Sequence, residues 1–256
     1  MTQSRWIATA LSAIIVVVVG GYVAYDQVLR GDTVAPLAFA TPGPSTATSG
    51  ADPSSDAASA SGALTSTDPG TSVTAADLAG TWTIGDGSVV GYRVREKLAS
   101  LPAQSDAVGR TSSITGQATL EASADAVRVS AAQFQADVTT LTSDRDMRDR
   151  RIHTMGLESD TYPTATFSLS APVDVPAQAL TGETVDVTLT GDLELHGVTK
   201  SVSIPASAVH TADGIQVLGS LTFPFSDFGM TPPSIGGFVS VEDDATLEFL
   251  VVLTKS

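Results

Sequence analysis

The sequence predicts an all-β, antiparallel domain carried behind a single N-terminal transmembrane helix and a disordered linker. Three observations predict it. An uncharged apolar run lies near the N-terminus; a long stretch of almost only Ala, Ser, Thr, Pro, Gly and Asp follows; and from about residue 75 short runs alternate apolar and polar residues at period two.

The apolar run extends from Trp6 to Tyr25, twenty residues without a formal charge, centred on Ile14-Ile15-Val16-Val17-Val18-Val19. Twenty helical residues rise about 30 Å, the thickness of a bilayer's hydrocarbon core. Trp6 at one end and Tyr22 and Tyr25 at the other suit the two interfaces. A cleaved signal peptide has a shorter apolar region, and the A-x-A-like site Ala38-Phe39-Ala40 lies well past the run. Residues 6–25 are therefore read as a retained signal anchor. Arg5 and the amino terminus make residues 1–5 the cytoplasmic side by the positive-inside tendency. The expected location is the cell membrane, single-pass, with the C-terminal domain extracytoplasmic.

Residues 26–74 form the expected linker. Sequences such as TPGPSTATSGADPSSDAASASGA cannot bury enough apolar surface to offset their ordering entropy. The 44 residues from Gly31 to Thr74, as a flexible coil, would span roughly 35–40 Å.

Residues 75–256 form the expected β-domain. Val185, Val187 and Leu189 share a strand face that continues to Leu193 and Leu195, past a Gly191 that signals a bulge or bend. Val127 and Val129 open another alternating run, and Leu247, Phe249, Val251 and Leu253 line one face of the last. Asp213-Gly214 marks a hairpin and Gly182-Glu183 a turn. Seven to nine such strands with little helix indicate a sandwich or a barrel.

One segment, TSDRDMRDRR (142–151), breaks the pattern and reads as a short helix. Ser143 followed by Asp146 resembles a capping arrangement, and Asp144–Arg148 and Asp146–Arg150 are i,i+4 pairs in the favoured order. It holds four of the thirteen basic residues, so it is the one locally basic surface of an acidic chain. The simplest reading is a solvated, self-paired face; the functional one is an anion-binding rim.

A net charge of −15 and a pI of 4.3 argue against nucleic acid as a partner. The absence of cysteine excludes disulfides, thiol nucleophiles and a cysteine lipid anchor. His153, His196 and His210 lack metal-ligand spacing, and Asp144, Asp146 and Asp149 lack the glycine of a calcium loop. Glu242-Asp243-Asp244 reads as a solvated turn. No catalytic residue, metal or cofactor is assigned, and the chain is not read as an enzyme. The Ala, Thr, Val and Asp bias is that of a GC-rich bacterial genome.

Four stretches then resemble one family. DVTTLTSDRDMRDRRIHTMGLESDTYPTATF (137–167) is similar to the central signature of the YceI-like domain, with Tyr162, Pro163 and Phe167 supplying its Tyr-Pro-x-x-x-Phe strand. GDLELHGVTKSVSIP (191–205) resembles the strand, Gly-Val-Thr-Lys turn and next strand of that family. GTWTIGDGSVVGYRV (80–94) and FPFSDFGMTPPSIGGFVSVEDDATLEFLVVL (223–253) resemble its opening and close. The membrane-anchored form resembles actinobacterial members. Glu96 is a departure, standing where many members carry a histidine.

The resemblance implies a lipocalin-like antiparallel β-barrel with one short helix and an apolar interior. It also implies a polyisoprenoid ligand, such as an isoprenoid quinone or a polyprenyl phosphate. Candidate wall residues are Phe134, Val138, Phe167, Leu189, Phe223, Phe225 and Phe249; Arg145, Arg148 and Tyr162 are the candidate rim. The partners expected are the membrane and an isoprenoid lipid, with no protein partner specified. The alternative is a filled barrel acting as a non-catalytic envelope interaction or stress protein. Whether the interior is hollow separates the two.

Overall fold

Strands form where β-branched and aromatic residues alternate with polar ones, because such residues fit a half-buried pleated surface. The computed structural model describes residues 34–39, 73–98, 104–124, 126–235 and 239–256. The expected anchor at 6–25 lies outside them; among the described residues no helix is long and apolar enough to cross a membrane.

A four-residue helix, α1 (Ala75–Leu78), precedes the first strand, held by a capping box between Thr74 and Asp77. The strands follow as β1 (Gly80–Ile84), β2 (Val89–Leu98), β3 (Gln104–Thr111), β4 (Ile114–Ser123), β5 (Ala126–Asp137), β6 (Thr164–Leu169), β7 (Val173–Val175), β8 (Val185–Leu195), β9 (Val198–Thr211), β10 (Gly214–Pro224), β11 (Ser234–Ile235) and β12 (Val239–Lys255). The second helix, α2 (Asp146–Arg151), lies between β5 and β6 and runs into a wider turn at 152–156.

All pairings are antiparallel, and β1-β4-β5-β6-β8-β9-β10-β12 returns to β1, which closes a ring of eight staves. β2 and β3 prolong the β1 and β4 staves at the other end, where β2 pairs with β12. The sequence thus breaks two long staves into short runs, while the barrel itself is the antiparallel type that the resemblance implies.

Three local signals resolve differently from expectation. Gly191 is no bulge: β8 keeps regular register through it, opposite Val202 and Leu169. A Cβ there would meet the Phe167 ring at 2.6 Å, so the glycine makes room for an inward aromatic on the next strand. The β9–β10 loop is Ala212-Asp213, one residue earlier than expected, and Gly214 already pairs with Thr211. Its φ is +133°, and a Cβ would meet the Leu253 carbonyl at 2.1 Å, so close approach to β12 is what demands glycine there. Glu242, Asp243 and Asp244 are exposed, but in a bulge of β12 rather than a turn, since pairing jumps from Val241–Glu96 to Ala245–Val94.

The linker expectation also needs correcting. Val34–Phe39 lies against the barrel's outer wall: Arg93 on β2 donates to the Val34 carbonyl at 3.1 Å, and Arg110 on β3 to that of Ala35 at 2.6 Å. VAPLAF is a small apolar cluster inside a polar stretch, so averaging composition over the whole linker hid it.

Candidate functional site

The period-two pattern places one face of every stave inside the ring. At the β1 end that interior is packed shut: Ala75 and Leu78 of α1 join Trp82, Ala118, Leu120, Val127, Val251 and Leu253 in one buried cluster. Trp82 fixes the plug by donating its indole N–H to the Leu78 carbonyl at 2.8 Å. Lys255 adds a bond to the Asp77 carbonyl at 2.6 Å.

Above the plug the interior is hollow. A cavity of about 180 Å³ is walled by Phe134, Phe167, Leu189 and Phe249, and His210 is on its wall. A second cavity, of about 290 Å³, lies toward the other end and includes Val138, Phe223, Phe225, Arg145 and Arg148 in its lining. Val90, Ala136, Ala165 and Leu247 line both, so the two spaces abut along the barrel. The filled-barrel expectation does not describe this interior.

Nine of the ten candidate residues therefore line one of the two cavities. The tenth, Tyr162, lines neither. Its ring packs on His196 with centroids 4.5 Å apart, and His196 holds the Phe228 carbonyl through Nδ1 at 3.1 Å. Tyr162 thus braces the β8–β9 turn rather than the mouth.

The charged groups lie in the upper cavity, whereas the lower lining is almost wholly apolar, with His210 as its titratable member. The inner face of β2 carries Val90, Tyr92, Val94 and Glu96, and its last member is a carboxylate. Glu96 receives two bonds from Arg148 of α2, at 3.2 and 3.0 Å, and both side chains are about nine-tenths buried. Arg148 also pairs with Asp144. Burial works against the guanidinium charge, but the bonds and attraction from Glu96 and Asp144 outweigh it and hold its pKa above the usual value.

The expected solvated, self-paired helix face is thus half right. The Asp144–Arg148 pair forms, and among the described residues Asp146 and Arg150 form no ion pair. The anticipated cap is replaced: Arg145 takes the N-cap position without a side-chain bond, while the Ser143 amide and hydroxyl both donate to Asp149 Oδ1. The helix faces the cavity because Glu96 draws Arg148 inward, a partner no local pattern could reveal.

Tyr92 carries the other notable group. Its hydroxyl is buried and, among the described residues, has no hydrogen-bond partner. Burial pushes the phenol's pKa well up, so it remains a neutral donor. The alternation in VVGYRVRE placed Tyr92 and Glu96 on the inner face; extending the apolar face by its polar members would have found both.

A largely apolar interior, plugged at one end and with its charged groups gathered at the other, defines a cavity-bearing antiparallel barrel. The sequence matches the YceI-like domain over residues 82–253, and the chain belongs to that family. Similar solved structures include Burkholderia cenocepacia BcnA, at 21% identity and a TM-score of 0.49 over 65% of this chain and 96% of that one. Another is a polyisoprenoid binding domain from Saccharophagus degradans implicated in plant cell wall breakdown, at 16% identity and a TM-score of 0.51 over 69% of this chain and 98% of that one. A Campylobacter jejuni YCEI protein aligns at 17% identity and a TM-score of 0.38 over 54% and 80% of the two chains. No curated protein matches the chain.

Proposed function

We propose that this chain is a membrane-tethered, extracytoplasmic lipid-binding module that holds a polyisoprenoid, with the hydrocarbon in the lower cavity and the head group in the upper one. The observation that carries the reading is that two cavities abut along the barrel between a plugged apolar end and an end with charged groups. Each CH₂ moved from water into such a space contributes about 0.8 kcal/mol, so a long chain gains affinity steadily while a few polar groups orient it. The binding named for the Saccharophagus domain of like fold agrees with this reading.

Tyr92 offers a neutral donor, and the Glu96–Arg148 pair is internally compensated. This end therefore offers a neutral donor to a quinone carbonyl, and Arg145 and Arg151 on the same lining offer positive charge to a polyprenyl phosphate. Met147 and Met155 are 58% exposed, and Met147 lines the mouth beside Arg145 and Arg151, which suits approach to a bilayer that supplies the ligand.

The reading is one of binding rather than catalysis. Ser159 contacts His153, but Ser159 is fully buried and neither residue lines either of the two interior cavities. Native mass spectrometry of the detergent-solubilised protein from its own membranes tests the proposal. One isoprenoid lipid per chain is the expected result. Protein that stays ligand-free after incubation with both a long-chain isoprenoid quinone and a polyprenyl phosphate would overturn it.

A further inference from the structure

The outer wall of a solvated barrel should carry exposed polar residues, and one sector of this one does not. Arg93, Val108, Gln216, Glu248 and Leu250 all lie on the face opposite the cavity lining, as their pairings with neighbouring strands require. Yet Val108 is 4% exposed, Glu248 6%, Gln216 6% and Leu250 8%. Val34–Phe39 lies on part of this sector, at Arg93 and Glu248.

The contacts are built rather than incidental. Glu248 divides its carboxylate between two arginines: Oε1 accepts from Arg110 at 2.8 Å and Oε2 from Arg93 at 3.4 Å. Asp106 steadies Arg93 from the other side at 3.1 Å. Each guanidinium then has an Nη2 corner aimed outward, and these take the carbonyls of two successive residues, Val34 and Ala35. Beyond them Pro36 and Leu37 share a cleft with Leu218, Thr246 and Glu248.

We infer that this sector is a peptide-binding surface whose resident occupant is the chain's own Val34–Phe39, and that the docked segment shortens the leash to the membrane. The second half rests on the membrane-tethered reading above. With the segment docked, only residues 26–33 separate the apolar N-terminal run from the barrel, eight residues that reach at most about 28 Å. Undocked, the connection is residues 26–74, and extended it reaches on the order of 170 Å. Residues 40–72 join the segment back to α1, so docking is intramolecular. Its effective concentration is in the millimolar range, and a contact of modest intrinsic affinity keeps it closed.

The absence of native cysteine lets spin labels be placed singly. In the full chain, labels at Ala38→Cys and Asp192→Cys should give a narrow distance distribution by double electron–electron resonance. Labels at Ser55→Cys and Asp192→Cys supply the broad reference. Leu37→Asp, which leaves the Arg93–Glu248–Arg110 cluster intact, should broaden the first distribution to match the second. Arg93→Gln with Arg110→Gln should do the same. Equal breadth at Ala38 and Ser55 in the otherwise unaltered chain overturns docking.

The leash is read by energy transfer between a barrel donor and lipid acceptors in phosphatidylethanolamine–phosphatidylglycerol vesicles. Leu37→Asp should lower transfer at least two-fold. Unchanged transfer in a chain that floats with the vesicles overturns the leash while leaving the anchor standing. A chain that does not float overturns the anchor and the leash together, and the spin labels still decide docking.

Discussion

Arg148 on α2 meets Glu96 on β2 face to face: Nε bonds one carboxylate oxygen and Nη2 the other, across 52 residues of sequence. The pair ties the mouth helix to the barrel wall. Arg148→Ala leaves a buried carboxylate without its counter-charge and should cost about 3 kcal/mol in urea unfolding. Replacing both, Glu96→Leu with Arg148→Met, should restore most of that loss, because no uncompensated charge remains. A double variant as unstable as the single one would show that something other than the stranded charge is at work.

Tyr92 tests the head-group end. Its hydroxyl has no partner among the described residues, so Tyr92→Phe should leave thermal stability unchanged or raise it. If the hydroxyl donates to the ligand, the same change should weaken quinone retention about five- to ten-fold. Competition between the two proteins for a limiting long-chain quinone, read by native mass spectrometry, separates these effects. Equal retention removes Tyr92 from the site.

Ala165 lines both cavities and sits where they meet. Ala165→Trp should divide the interior. Long-chain isoprenoid quinones should then be rejected and short-chain ones kept, at a stability cost of about 1–3 kcal/mol from overpacking. A plugged variant that still takes the long chain would place the hydrocarbon elsewhere.

His210 lines the lower cavity, and its Nδ1 is buried without a partner among the described residues. Burial holds its pKa below the ordinary value. The folded state therefore keeps it neutral while the unfolded chain takes a proton first, below about pH 6.5. Stability from this group is complete above that pH and declines as the pH falls through it. The melting temperature should drop between pH 7.5 and 5.5, and His210→Gln should flatten part of the slope. Parallel slopes would assign the acid sensitivity to the carboxylates instead.

The staves and their inward faces were legible because period two is local: Leu247 to Leu253 and Val185 to Leu195 read correctly from the sequence alone. Nine of the ten candidate residues line the cavities, because they are apolar side chains or arginines of one charged segment. What was not legible depends on partners distant in sequence. Gly191 looks like a bulge until Phe167 is placed over it, and Ser143 looks like a cap until Asp149 turns back to meet it. Glu96 reads as a departure from the family's histidine until Arg148 is placed against it. Val34–Phe39 reads as linker because its anchors, Arg93 and Arg110, belong to another part of the chain.

Trp82 pairs with Lys255, and the Ser256 amide donates to the Thr81 carbonyl at 3.0 Å, so the first stave of the ring is completed by the last. The barrel cannot close while it is being made. Until β12 has been made, the growing sheet keeps open edges that invite pairing with other chains, and pairings this distant in sequence form slowly. Loss of the short tail after Leu250 should be far more damaging than its length suggests. It would strip β12 from one edge of β1 and of the base of β10, and take Val251 and Leu253 out of the plug, a defect visible as aggregation on refolding rather than as a modest fall in melting temperature.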